Sequence, residues 1–169
     1  IFVTNDDGWG AKGILTIVRI MSELGHVTVV APDGARSGMS NAITVAQPIY
    51  LRQLNDPSWG AEEWQKNVTV YTTNGTPSDC VKLAIDVVCE GDSSKIDLLV
   101  SGINHGSNAG INVIYSGTMG ACFVGAEHGI PSIGFSIDDH SPEADFSHME
   151  KYILELTKHL LEEKKPYGV

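Results

Sequence analysis

Apolar positions along the chain alternate between two rhythms. Ile1-Phe2-Val3-Thr4 is a short apolar run, broken at once by Asn5-Asp6-Asp7-Gly8. Ile14, Ile17, Val18, Met21 and Leu24 then recur at helical spacing up to Gly25, which predicts an amphipathic helix with a glycine stop. Val27-Thr28-Val29-Val30 reads as a second strand halted by Pro32. A loop rich in Gly, Ser and Asn follows over 33–46, and 48–54 and 68–72 read as two extended segments of a hairpin arm. The stretch between them, 55–67, has no period.

Thr76-Pro77-Ser78-Asp79 carries a helix start: a Thr cap, a Pro at the first helical position and an acidic side chain three residues on, the reciprocal capping pattern. Val81, Ala84, Ile85 and Val88 form the apolar stripe of that helix. A buried strand is expected over 96–100, running into Ser101-Gly102-Ile103-Asn104, with a Gly-rich loop to Gly117. A helix of small residues over 118–128, a strand over 130–136 and a long amphipathic helix marked by Phe146, Met149, Ile153, Leu156 and Leu160 complete the pattern. Tyr167-Gly168-Val169 reads as the start of a further strand, so the chain is expected to continue. Strand–helix alternation with apolar strands predicts an α/β fold, a Rossmann-like, mostly parallel sheet with helices on both faces. Residues 1–169 are expected to form a single domain.

The net charge of −10 argues against a nucleic-acid polymer as partner, because such proteins carry a basic stripe. No apolar run is long enough to span a membrane. The three cysteines, Cys80, Cys89 and Cys122, have no CxxC partner and read as buried free thiols of a reducing compartment.

Candidate chemistry gathers where strands end. Open α/β sheets bind ligands at the carboxyl ends of their strands, and Asp6-Asp7 stands there. Adjacent carboxylates repel unless something positive lies beside them. A divalent cation answers that need; a plain helix cap is the competing explanation. Ser37-Gly38-Met39-Ser40-Asn41 and Ser101-Gly102-Ile103-Asn104-His105-Gly106 end strands on the same side. Oxygen donors from Asp, Asn and Ser suit a hard cation and fit zinc poorly. Ser116-Gly117-Thr118 opens a helix and offers a phosphate seat or an ordinary cap. Metal and anion seat together suggest metal-assisted hydrolysis of a phosphate monoester. His105 is a possible proton donor, although a loop histidine is more often simply exposed; His128, His140, His148 and His159 read as solvated, and Asp138-Asp139 as a turn.

Five ordered blocks carry a resemblance. They are Val3-Thr4-Asn5-Asp6-Asp7-Gly8; Val30-Ala31-Pro32-Asp33 with Arg36-Ser37-Gly38; Gly75-Thr76-Pro77-Ser78-Asp79-Cys80-Val81-Lys82; Ser101-Gly102-Ile103-Asn104-His105-Gly106; and Tyr115-Ser116-Gly117-Thr118. Together they resemble the SurE survival-protein family of metal-dependent nucleotidases. The resemblance implies metal ligands at Asp6, Asp7, Ser37 and Asn104, with Asp6, Asp7 and Asn104 catalytic, and a phosphate site at Asn5, Ser116, Gly117 and Thr118. It implies one magnesium or manganese ion per subunit, with calcium an alternative. It also implies nucleoside monophosphates as substrates, with 3′-nucleotidase and exopolyphosphatase activities as extensions. Homodimers or homotetramers built through a C-terminal arm are expected, and that arm is not in the sequence. Val124 stands where the family usually has Glu, and Cys122 where it has a small residue; both are expected to concern packing.

Two other classes remain. A phosphoacceptor receiver domain also places acids after its first strand, but needs an Asp at the end of the central strand, where Ser101-Gly102 stands. A non-catalytic nucleotide-binding module would keep the phosphate seat without needing Asp6 and Asp7.

Overall fold

The computed structural model describes residues 1–56, 59, 62–141 and 143–163. Among the described residues, six strands form one sheet: β1 (Phe2–Thr4), β2 (Val27–Pro32), β3 (Arg52–Gln53), β4 (Val68–Thr73), β5 (Leu99–His105) and β6 (Ser132–Ile137). Their order is β3-β4-β2-β1-β5-β6. All neighbouring pairs are parallel except β3 with β4. Among the described residues, four α-helices cover it: α1 (Lys12–Ser22), α2 (Pro77–Leu83), α3 (Gly117–Glu127) and α4 (Glu150–Glu163).

The alternation of strand side chains explains why both faces need helices. Val3, Val29, Ala31 and Val100 join Ile14, Ile17, Met21 and Ile153 in one core, beneath α1 and α4. Phe2, Val30 and Leu99 point the other way, into a second core with Cys80, Val81, Ala121 and Val124 from α2 and α3. Cys122 and Val124, the two departures from the family pattern, are both buried in that second core. They fill space between α3 and the sheet.

Helix α2 starts as its sequence predicts. Thr76 Oγ1 accepts from the Asp79 amide at 3.1 Å and Asp79 Oδ2 accepts from the Thr76 amide at 2.9 Å. The helix runs on into one wider turn over Ala84–Val88.

Several expected boundaries move. The segment 68–72 is not half of a separate arm: β4 is an inner strand, parallel to β2 from Val27↔Val68 to Pro32↔Thr73. Only the short antiparallel contact of β3 survives from the predicted hairpin. The strand expected over 96–100 begins at Leu99 and continues to His105. Its pairing with β6 shifts register between Ser101 and Asn104, so the ladder carries glycine through a segment whose composition reads as loop. Within 55–67, Glu63–Asn67 forms a 3-10 turn and Trp59 is buried. The residues 167–169 lie outside the described residues. No helix among the described residues is long and apolar enough to cross a membrane.

Candidate active site at the strand ends

β1 delivers Asn5-Asp6-Asp7-Gly8 to the carboxyl edge of the sheet, between the ends of β2 and β5. Asn5 shapes the turn: its Nδ2 donates to the Gly8 carbonyl at 2.9 Å and its Oδ1 accepts from the Gly8 amide at 3.2 Å. The Asp6 carbonyl accepts from the Arg36 amide at 2.6 Å, fixing the Ser37 loop beside the acidic pair.

Asp6 is only 3% exposed. Its Oδ1 accepts from Thr118 Oγ1 at 2.8 Å. Burial pushes the Asp6 carboxyl up to about 6, against the Thr118 hydrogen bond, and the neighbouring charge of Asp7 adds to the rise. Among the described residues, no lysine or arginine pairs with it. Asp6 is therefore a buried carboxylate short of positive charge, the condition that a bound cation relieves.

A cleft of about 260 Å³ opens beside it, lined by Asp6, Ser37, Asn104, His105, Asn108, Tyr115, Ser116 and His140 among others. Asn104 donates from Nδ2 to the Gly106 carbonyl at 2.7 Å, which leaves its Oδ1 as the free end of the amide. Ser37 has no hydrogen bond to another described residue and is exposed. Carboxylate, hydroxyl and amide oxygens thus share one wall.

Asp7 takes a different position. It lines the adjoining depression with Ala11, Lys12, His105 and His140, and its Oδ2 lies 3.4 Å from His105 Nδ1. The His105 ring packs edge-on to Phe146, with centroids 5.1 Å apart. His105 is consequently held rather than loose, and only 18% of its side chain is exposed.

The predicted phosphate residues divide. Ser116 lines the cleft and caps α3, accepting from the Met119 amide at 3.1 Å. Thr118 turns its hydroxyl to Asp6, so its side chain supports the acid rather than facing the cleft. Gly117 lies against Asp6: an added Cβ there would sit 3.0 Å from the Asp6 Cβ and 3.2 Å from its Oδ2. Asn5 is spent on the turn and does not line the cleft. These residues hold the acid in place, and α3 presents its free amides behind Ser116.

Two residues enter that sequence reasoning passed over. Asn108 lines the cleft with its Nδ2 buried and unpartnered, a donor in want of an acceptor. A second amide four residues after Asn104 was the signal available. His140, expected to be merely solvated, lines both the cleft and the adjoining depression and stacks over Gly106; nothing in its surroundings in sequence marks it.

No cysteine lines the cleft, and among the described residues no group of three or more His, Cys, Asp or Glu converges. A hard divalent cation fits the oxygens that remain. The thiols are not part of this site. Cys80, Cys89 and Cys122 are free, and burial pushes the Cys122 thiol up to about 12, well away from nucleophile behaviour.

Fold and site define an open, mostly parallel α/β protein whose strand ends carry an acidic, oxygen-lined cleft next to a helix N-terminus. Comparison with known proteins narrows this. The model of the family described as survival protein SurE matches residues 1–168. A protein of Christiangramia forsetii named 5'-nucleotidase SurE is 48% identical over 169 residues, covering 100% of this chain and 62% of that protein. A protein of the same name from Bacteroides thetaiotaomicron is 45% identical over 166 residues, covering 98% of this chain and 60% of that protein. The crystal structure of the SurE protein from Aquifex aeolicus superposes with a TM-score of 0.80 at 34% identity, covering 99% of this chain and 60% of that one. The chain belongs to the SurE family. It spans about three-fifths of the length of these relatives.

Proposed function

We propose that the protein is a phosphomonoesterase that hydrolyses nucleoside monophosphates to nucleoside and phosphate with the help of a magnesium or manganese ion. The observation that carries this reading is the buried Asp6 carboxylate, with no lysine or arginine beside it among the described residues, in the wall of a polar cleft that also holds Ser116. A metal would be held by Asp6, Ser37 and Asn104, one per subunit. Asp7 would complete the set through the carboxylate oxygen that does not face His105, whose Nδ1 lies 3.4 Å from Asp7 Oδ2.

When bound, the cation supplies charge neutralisation of the phosphoryl oxygens and acidifies coordinated water. The chain supplies the rest. Thr118 and Gly117 fix the Asp6 carboxylate from one side. The Asn108 amide and the first turn of α3 behind Ser116 bind and orient the phosphate oxygens. Water oxygen bonds to phosphorus as the ester P–O bond breaks, and the nucleoside oxygen leaves with a proton. His105, braced by Asp7 and Phe146, stands at the cleft to carry that proton.

The relatives' name supports the nucleotide as substrate. The three free cysteines support a cytoplasmic place, and the family resemblance supports a homodimer or homotetramer. A receiver domain is disfavoured because β5 ends in Asn104-His105 with no carboxylate to phosphorylate. The test is phosphate release from adenosine 5′-monophosphate by the full-length protein, with and without a chelator. Release that the chelator abolishes and manganese restores supports the reading; absence of release with metal present overturns it.

A further inference from the structure

A phosphate seated at Ser116 leaves the rest of a nucleotide extending outward through the mouth of the cleft. The residue immediately before Ser116 lines that mouth. Tyr115 is 59% exposed, and its side chain has no hydrogen bond or ring contact with any other described residue. Its backbone is nevertheless fixed. The Tyr115 amide donates to the Asn112 carbonyl at 3.1 Å, and the Tyr115 carbonyl accepts from the Ser40 amide at 3.1 Å. Ser40 Oγ also donates to the Ile114 carbonyl at 2.6 Å. Gly120 lets the Ser40 loop come close, because a Cβ there would collide with the Ser40 carbonyl.

The result is a free aromatic face on an anchored main chain. Ile111 and Ile114, on the same turn, are 69% and 52% exposed, and Met39 on the facing loop is 42% exposed. Tyr115 is the large apolar side chain in an otherwise polar cleft lining, and the three exposed apolar residues lie next to it along the chain and the facing loop rather than in the lining itself. That matches the two ends of a nucleotide, an anion and a planar base. We propose that Tyr115 is the platform on which the nucleobase of a nucleoside monophosphate stacks. This rests on the phosphomonoesterase reading for the position of the phosphate. Because every base has a π-face, stacking is tolerant of base identity. Tyr115 therefore selects nucleotides over other phosphomonoesters without selecting one base. An exposed apolar edge of this kind has one other obvious occupant, a second copy of the chain.

The test compares the full-length wild type with Tyr115→Ala and Tyr115→Phe on adenosine 5′-monophosphate and on ribose 5-phosphate, which lacks the base. Dissociation constants for adenosine, which has no phosphate to lose, are measured alongside. The platform predicts that Tyr115→Ala lowers the ratio of kcat/KM for the nucleotide over the sugar phosphate about tenfold and weakens adenosine binding by a like factor. Tyr115→Phe restores both. An unchanged ratio with unchanged adenosine affinity overturns the platform. So does a change of oligomeric state in Tyr115→Ala, which would give this edge to a neighbouring copy. If neither phosphate ester is hydrolysed while adenosine binding still depends on the ring, the phosphomonoesterase reading falls and the platform stands.

Discussion

Thr118 donates its hydroxyl hydrogen to Asp6 at 2.8 Å, joining the start of α3 to the end of β1 across 112 positions of sequence. Both residues are buried, and the bond acts on the charged form of the acid. Replacing Thr118 by Val keeps the shape and removes the donor. Because that hydrogen bond lowers the Asp6 pKa, its loss raises it. The acid limb of the pH–rate profile should move to higher pH, with roughly tenfold lower kcat/KM at neutrality, as expected for one lost hydrogen bond to a charged group. A profile recorded from pH 5 to 9 checks both; an unmoved acid limb contradicts the role given to Thr118.

The raised Asp6 pKa also sets a stability trend in metal-free protein. The folded value of about 6 lies above the ordinary 3.8. The fold therefore favours the protonated acid: its contribution is fully present below pH 3.8 and is lost as pH rises through 6. Asp6→Asn removes the ionisation. In chelator it should be more stable than wild type at pH 8, by on the order of 3 kcal/mol, with the difference vanishing near pH 4. Denaturant unfolding at the two pH values is the check. Equal stability at both would mean that the carboxylate is better solvated than its 3% exposure indicates.

Gly117→Ala separates site geometry from fold. Its Cβ would lie 3.0 Å from the Asp6 Cβ and 3.2 Å from Pro77 Cγ, close enough to displace the acid by a few tenths of an ångström. Overpacking costs about 1 kcal/mol at the low end, and the better helix propensity of Ala returns a similar amount. Global stability should therefore change little, while manganese affinity falls about tenfold. Thermal unfolding and metal titration together read this out.

Asp79 secures the Ser37–Ala46 side of the cleft. It accepts from the Thr44 amide at 2.9 Å and the Thr44 hydroxyl at 2.7 Å, besides capping α2. Burial acts to raise its pKa, but the Thr44 and Thr76 hydrogen bonds outweigh it and hold the acid below its ordinary value. The sign is the reverse of Asp6: its stabilisation is present above pH 3.8 and is lost as pH falls through the lower folded value. Asp79→Ala should cost about 2 kcal/mol at pH 7 and steadily less in acid. Unfolding curves at pH 7 and pH 3 test this.

What could be read from the sequence was local. The α2 cap lies within four residues, and both of its reciprocal hydrogen bonds are present. The strand–helix alternation with apolar strands forecast helices on both faces, and the structure places Phe2 and Val3 in separate cores. What escaped was decided by distant partners. β4 became an inner strand because β2 supplies a full parallel ladder, not because Val68–Thr73 is unusually apolar. β5 runs through Gly102 because its neighbours' hydrogen bonds outweigh glycine's weak strand preference. At the site, the acidic pair and Ser116 were visible as motifs. The commitment of Thr118 to Asp6, the pairing of Asp7 with His105 and the orphaned amide of Asn108 depend on approaches between residues far apart in the chain.

The central claim is that Asp6 has no lysine or arginine partner among the described residues and takes a divalent cation instead. Calorimetric titration of manganese into wild type and Asp6→Asn at pH 7.5 tests it most directly. One ion taken up per wild-type chain, with that uptake lost in the variant, is the predicted result. No uptake by folded wild type, or equal uptake by both proteins, would contradict it.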